Sequence, residues 1–152
     1  MIAGLIICAS MSVVDGDTVK CDGQNMRLLG EGVPFVSGID TPEIGSHAKC
    51  IKERKLALIA KGRLKELLAE KGLRVVFSGV VDKTQTHRPL VNIYRTNGEE
   101  LGKKLLKEGF ARTWSPNQRN DWCNDHSDTD HNRKLSARLV VSFKTFGLDR
   151  KR

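Results

Sequence analysis

No stretch of this sequence approaches the roughly 20 consecutive apolar residues that cross a bilayer, so a soluble protein with no membrane partner is expected. The apolar run in MIAGLIICAS has no Lys or Arg before it, and a complete secretory signal is therefore not visible. The run reads as a truncated signal or equally as a first, buried strand over Leu5-Ile6-Ile7. None of the four cysteines, Cys8, Cys21, Cys50 and Cys123, belongs to a C-x-x-C pair, which argues against a zinc ribbon or a thioredoxin-type site. Two disulfides in an exported protein and idle buried thiols both stay open. Cys8 and Cys21 flank the first turn and are spaced to face each other across a hairpin. Internal repeats and low-complexity linkers are absent too.

Acidic residues are in deficit. Eighteen Asp and Glu stand against 26 Lys and Arg, a net charge of +8, and such an excess attracts polyanions over long range. Nucleic acid is the natural partner, although a merely solubilising basic surface has the same composition. At 152 residues the chain suits one domain with a real core better than two.

Residues 11–29 alternate β-favouring pieces with the turn signals Asp15-Gly16 and Asp22-Gly23, predicting a three-stranded meander. From about Ser46 to Glu70, Leu56, Ile59, Ala60, Leu64, Leu67 and Leu68 recur at helical steps, with Gly72 placed to end the helix. LRVVFSGVVD and RPLVNIYRT read as two further strands. Asn97-Gly98 then turns the chain into a short helix over about Glu99–Glu108, closed by Gly109. A last helix over about Thr129–Thr145 is poorly patterned. The expected class is α+β: a five-stranded Greek-key barrel of the oligonucleotide-binding (OB) type with two or three helices, which offers a strand face and loops to a nucleic-acid strand.

Three pieces carry chemistry: VVDGDTV at 13–19, MRLL at 26–29 and IDTPE at 39–43. If the first turn lies beside the 40–43 loop, Asp17, Asp40 and the Thr41 carbonyl converge as hard oxygen ligands suited to Ca²⁺ or Mg²⁺. Pro42 restricts Thr41 and holds that carbonyl's direction in advance. Glu43 sits one step outside and is the candidate general base, holding a water beside the metal. Arg27 and Arg88 each offer a planar fork of donors that matches phosphate oxygens. Taken singly, each has a plainer reading: D-G-D-T is a common turn, D-T-P-E an ordinary loop, and Arg27 a half-buried surface arginine.

In order and spacing, V-D-G-D-T, R-L-L, I-D-T-P-E, a long helix, D-K-x-x-x-x-R before a hydrophobic strand, and NGEELGKKLLKEGFARTW resemble the staphylococcal nuclease (thermonuclease) family over about 13–114. Residues 115–152 are left as a C-terminal extension of the one domain. The resemblance implies a Ca²⁺-dependent phosphodiesterase acting on DNA and RNA with little sequence preference. It assigns Asp17, Asp40 and Thr41 to Ca²⁺, Glu43 to the general base, and Arg27 and Arg88 to the phosphate at the transition state. Water would attack in line and expel the 5′ oxygen, leaving 3′-phosphates. A monomer with no obligate protein partner, secreted or periplasmic, goes with this reading. The alternative is an OB-type barrel that binds nucleic acid without catalysis, and the complete set Asp17, Arg27, Asp40, Glu43 and Arg88 speaks for the enzyme.

Two departures from the family pattern matter. GEGVPFVSG at 30–38 separates Leu29 from Ile39, where the family runs almost continuously. Arg27 and Asp40 can meet only if that segment bulges outward. The loop DKTQTHR is longer than the family's D-K-Y-G-R and lacks its tyrosine. Lys83 is carried over as a contact to a flanking phosphate, and Trp114 as an aromatic platform for substrate. His87 is taken as a loop residue. Cys123, His126 and His131 with Asp125, Asp128 and Asp130 fit no familiar zinc spacing.

Overall fold

In a computed structural model of the chain, residues 4–124 are described. The helix expected over 129–145 and the His126–His131 cluster lie outside them. The elements run β1 (Gly4–Ile6), β2 (Met11–Asp15), β3 (Thr18–Cys21), β4 (Gln24–Leu28), β5 (Gly38–Asp40), a 3-10 turn (Gly45–His47), α1 (Ile51–Leu68), β6 (Arg74–Val81), β7 (Pro89–Tyr94), α2 (Leu101–Glu108) and β8 (Arg112–Trp114).

Six strands form one mixed sheet in the order β1-β6-β7-β4-β3-β2, with β4 and β7 parallel and the other pairs antiparallel. The two ends of that order, β1 and β2, are joined by residues 7–10 alone. The sheet must therefore curl until its edges meet, and β1 with β2 is the interrupted first strand of a five-stranded barrel. The interruption is pinned from one hairpin. Asp22 (φ 48°) and Gly23 (φ 86°) make a left-handed turn. The Asp22 carboxylate accepts from the Ala9 and Ser10 amides at 3.1 and 2.8 Å, and Cys8 is bonded to Cys21. β1 is not the buried strand expected: Leu5 and Ile7 are 62% and 85% exposed. This segment closes the barrel by backbone pairing with β6, and only Ile6 and Cys8 pack on the core.

The core lies between the barrel and one face of α1, where Leu56, Ala57, Ala60, Leu64 and Leu67 meet Val19, Met26, Leu28, Val91 and Ile93. α1 begins at Ile51 rather than near Ser46 because Cys50 is extended (φ −157°) and bonded to Cys123. Its Sγ caps the helix by accepting from the Glu53 amide at 3.3 Å. α2 is capped by the buried Glu100 carboxylate, which accepts from the Lys103 amide at 2.7 Å, and it closes on left-handed Gly109. The result is an α+β fold of the OB type with two α-helices among the described residues.

Candidate active site

The turn between β2 and β3 carries Asp17 to the 40–43 loop and packs against the middle of α1. The approach is so close that a Cβ on Gly16 would lie 2.9 Å from Ala60 and Thr41. A side chain at 16 would therefore push Asp17 off the 40–43 loop. As built, Asp17 is buried, and its Oδ2 accepts from the Thr41 amide at 3.4 Å and meets Arg27 Nη2 at 3.3 Å. The same Arg27 nitrogen donates to the Ile39 carbonyl at 2.9 Å. One guanidinium thus binds the first motif to the third.

That contact answers the question of the 30–38 segment, which is a surface excursion. The Val33 carbonyl accepts from the Val36 and Ser37 amides, the Ser37 hydroxyl accepts from the Val33 amide, and Val33 and Val36 are more than half exposed. Phe35, at φ 65°, turns back to the protein and its ring packs 4.6 Å from Lys83 Nζ. A groove of about 400 Å³ opens there, lined by Arg27, Phe35, Ile39, Lys83, Arg88 and Trp114 among others. Trp114 is half-buried in β8. His87 is an exposed loop residue whose amide closes a turn onto Thr84.

Arg88 is held from two sides. Its Nε and amide donate to the Asp82 carboxylate at 2.7 and 2.9 Å, and Nη1 donates to the Thr18 hydroxyl at 3.0 Å. Thr18 in turn donates to Asp17 Oδ1 at 3.1 Å. Asp17, Thr18, Arg27 and Arg88 are therefore one network. Asp40 accepts from Asn120 Nδ2 at 3.1 Å and from Trp122. The exposed Glu43 is anchored by its backbone, its amide donating to buried Glu53 at 3.2 Å.

The carboxylates repel one another. Burial opposes ionisation of Asp17, but Arg27, hydrogen bonds from Asp15 and Thr18, and then Arg88 hold it below the usual carboxylate range. Asp15 beside it is pushed up to about 7 by burial and by the Asp17 charge, so Asp15 keeps the proton of the pair. Burial raises Asp40, with Asp17 adding to it, and partial burial raises Glu43, helped by Asp17 and Asp40. Arg27 is raised chiefly by Asp17.

Such a set fits a hard divalent cation. The donors are carboxylate and carbonyl oxygens, and the mutual repulsion of Asp17, Asp40 and Glu43 is what a cation relieves. Among the described residues no three His, Cys, Asp or Glu side chains form a metal cage by themselves. A cation here would rely on two carboxylates, a carbonyl and water.

Asp15, Glu53, Asp82 and Asn120 were missed in the sequence. Asp82 heads the DK-x-x-x-x-R piece and Asp15 the D-G-D-T turn, so both had a signal. Nothing near Asn120 or Glu53 pointed to the site.

Two arginines and a cluster of acids thus stand joined on an OB-type barrel. The sequence model of the staphylococcal nuclease homologue family matches residues 35–138, more than half of the chain, and the chain belongs to that family. Membership supports a nuclease-type function with a nucleic-acid substrate. Asp17 and Arg27 precede the matched residues and are joined to them by the contacts to Thr41 and Ile39. The comparison with curated proteins gave no match. No described helix is long and apolar enough to cross a membrane.

Proposed function

We propose that the chain is a Ca²⁺-dependent phosphodiesterase that cleaves DNA and RNA with little sequence preference. The observation that carries this is Arg27, whose guanidinium touches Asp17 and the strand leading to Asp40 across the 30–38 excursion. Asp17, Asp40 and the Thr41 carbonyl are the residues that would hold the ion. Ca²⁺ bound there would withdraw charge from a non-bridging phosphate oxygen and make phosphorus more electrophilic.

The chain's own groups do the rest. Glu43 accepts the proton of the attacking water, and its raised pKa brings it nearer to the range in which a base is effective. Arg27 and Arg88 direct N–H groups at the oxygens on which charge grows, and favour the transition state over the ground state. Thr18 and Asp82 keep Arg88 from swinging away. The P–O5′ bond breaks, the 5′ oxygen takes a proton from solvent and leaves as a hydroxyl, and the product ends in a 3′-phosphate. Lys83 and Trp114 flank the groove and meet the neighbouring phosphate and base, so affinity arises from charge and stacking, without base-edge readout. Two disulfides support export to an oxidising compartment.

Cleavage of DNA and of RNA in Ca²⁺, in Mg²⁺ and in excess chelator, with end-group analysis, tests this reading. Ca²⁺ should support turnover and yield 3′-phosphates. Binding with no cleavage under any condition would replace the enzyme with the non-catalytic barrel.

A further inference from the structure

Asp40 and Glu43 are held by groups on opposite sides of one disulfide. Asp40 lies on β5, whose sole sheet partner among the described residues is the short strand β8. Asn120 bridges the two strands, its Nδ2 donating to Asp40 Oδ2 at 3.1 Å and to the Thr113 carbonyl at 3.0 Å. The segment bearing Asn120 is fixed directly afterwards. Arg112 Nη1 donates to the Asp121 carbonyl at 3.0 Å, the Arg112 guanidinium covers the ring of buried Trp122 at 4.0 Å, and Cys123 is bonded to Cys50. From Cys50 the chain enters α1, and its Sγ accepts from the Glu53 amide. The Glu53 carboxylate then accepts from the Glu43 amide at 3.2 Å and from the Lys49 amide at 2.9 Å.

We propose that Asn120 and Glu53 are positioning residues for Asp40 and Glu43, and that the Cys50–Cys123 disulfide joins them into one frame around the site. The inference rests on the reading of Asp40 as a cation ligand and Glu43 as the base. Neither carboxylate belongs to the barrel sheet. Asp40 is on the two-stranded ribbon and Glu43 on the loop after it; the barrel holds the neighbouring backbone through Arg27 on the Ile39 carbonyl and Asp17 on the Thr41 amide, and the frame adds the hold on the Asp40 carboxylate and on the backbone at Glu43. The Asn120 N–H fixes one Asp40 oxygen, Trp122 donates to the same carboxylate, and together they set the direction of the lone pairs left to a cation, as partners behind metal ligands do. Glu53 sets the backbone at residue 43, and with it the distance from the base to its water. Breaking the disulfide releases both supports together, while Asp17, Arg27 and Arg88, which sit on the barrel, keep their places.

The test has two parts. In metal-free protein held in excess chelator, amide hydrogen exchange is compared between the wild type and the Cys50→Ser/Cys123→Ser variant. The Glu43 and Lys49 amides should exchange at least about 10-fold faster in the variant, while the barrel amides of Leu28 and Leu29 keep their protection. Unchanged protection at Glu43 and Lys49, or equal loss in the barrel, overturns the frame. The second part uses Ca²⁺ alone in calorimetry, alongside turnover. Asn120→Ala should raise the Ca²⁺ dissociation constant about 10-fold, the lower end for a partner behind a metal ligand. Glu53→Gln should lower kcat and leave the Ca²⁺ constant unchanged. Equal effects of both variants on both quantities, or none, overturn the positioning roles. A wild type that neither binds Ca²⁺ nor cleaves refutes the proposed function instead, and the exchange comparison still decides the frame.

Discussion

Replacing Arg27 with Ala removes the counter-ion of a buried carboxylate, and the consequence can be worked from the geometry. Arg27 Nη2 lies 3.3 Å from Asp17 Oδ2, with the Arg27 side chain 24% exposed and that of Asp17 5%. Two charges at this distance attract by about 5 kcal/mol at an effective dielectric constant of about 20. Partial exposure of the arginine reduces that, and loss of the bond to the Ile39 carbonyl adds back about 1 kcal/mol. A destabilisation of about 3 kcal/mol follows, within the usual range for leaving one partner of a buried pair. At roughly 3 °C per kcal/mol this lowers Tm by about 10 °C near pH 7.5 in chelator. The effect should depend on pH with a definite sign. In the wild type the Asp17 pKa is depressed, so its contribution is present above the ordinary carboxylate pKa and is lost only as pH falls through the lowered value. In the variant burial acts with less opposition and the pKa rises, so protonation as pH falls removes the unpaired charge and recovers stability. Thermal unfolding followed by circular dichroism should therefore show the difference shrinking by about half or more from pH 7.5 to pH 5. A Tm drop that is the same at both pH values, or smaller than about 3 °C, equivalent to roughly 1 kcal/mol, would refute the pairing.

Asp15→Asn keeps the oxygen that accepts from the Asp17 amide and removes a carboxyl whose pKa is about 7 in the fold. Because that pKa is raised, the wild type loses stability as pH rises from the ordinary carboxylate value of 3.8 to about 7, where the loss is complete. The Tm of the variant relative to the wild type in chelator should rise from pH 4 to pH 7 and level off by pH 8, and a gap that does not change over that range would contradict the assignment. Deleting residues 31–37 removes an excursion whose hydrogen bonds are largely its own, apart from the Glu31 amide on Asn92 and the Gly32 amide on the Leu29 carbonyl. Loop closure changes slowly with length, so the product should fold with a loss below roughly 2 kcal/mol and keep Ca²⁺-dependent turnover. Substrate affinity should fall with the loss of the Phe35 wall, and an unfolded or inert product would show the segment to be integral.

The barrel and both helices were legible because their signals are local. Asp22-Gly23 dictates a left-handed hairpin turn, the α1 stripe repeats at helical steps, and Gly109 marks an end. The start of α1 was misread by several residues because a disulfide partner 73 positions away, invisible in a window of sequence, holds Cys50 extended. Leu5-Ile6-Ile7 read equally as a truncated signal or a buried strand from its hydrophobicity, yet what places β1 is backbone pairing across the barrel seam. The candidate ligands and Arg27 were legible in three short motifs and Arg88 in the D-K-x-x-x-x-R piece, and the structure brings Asp17, Arg27 and residues 39–41 together. Their supports were not. Asn120 and Glu53 act through single hydrogen bonds reaching 80 and 10 residues back, and an isolated Asn or helix-start Glu carries no pattern.

The central claim is that Glu43 activates water beside a cation held by Asp17, Asp40 and Thr41. It is tested most directly by turnover of DNA measured side by side for the wild type and Glu43→Gln, each with Ca²⁺ and with excess chelator. The wild type should cleave only with Ca²⁺, and kcat should fall on the order of 10²-fold or more in the variant, with folding and Ca²⁺ affinity retained. Undiminished cleavage in chelator, or a variant that turns over like the wild type, would contradict it.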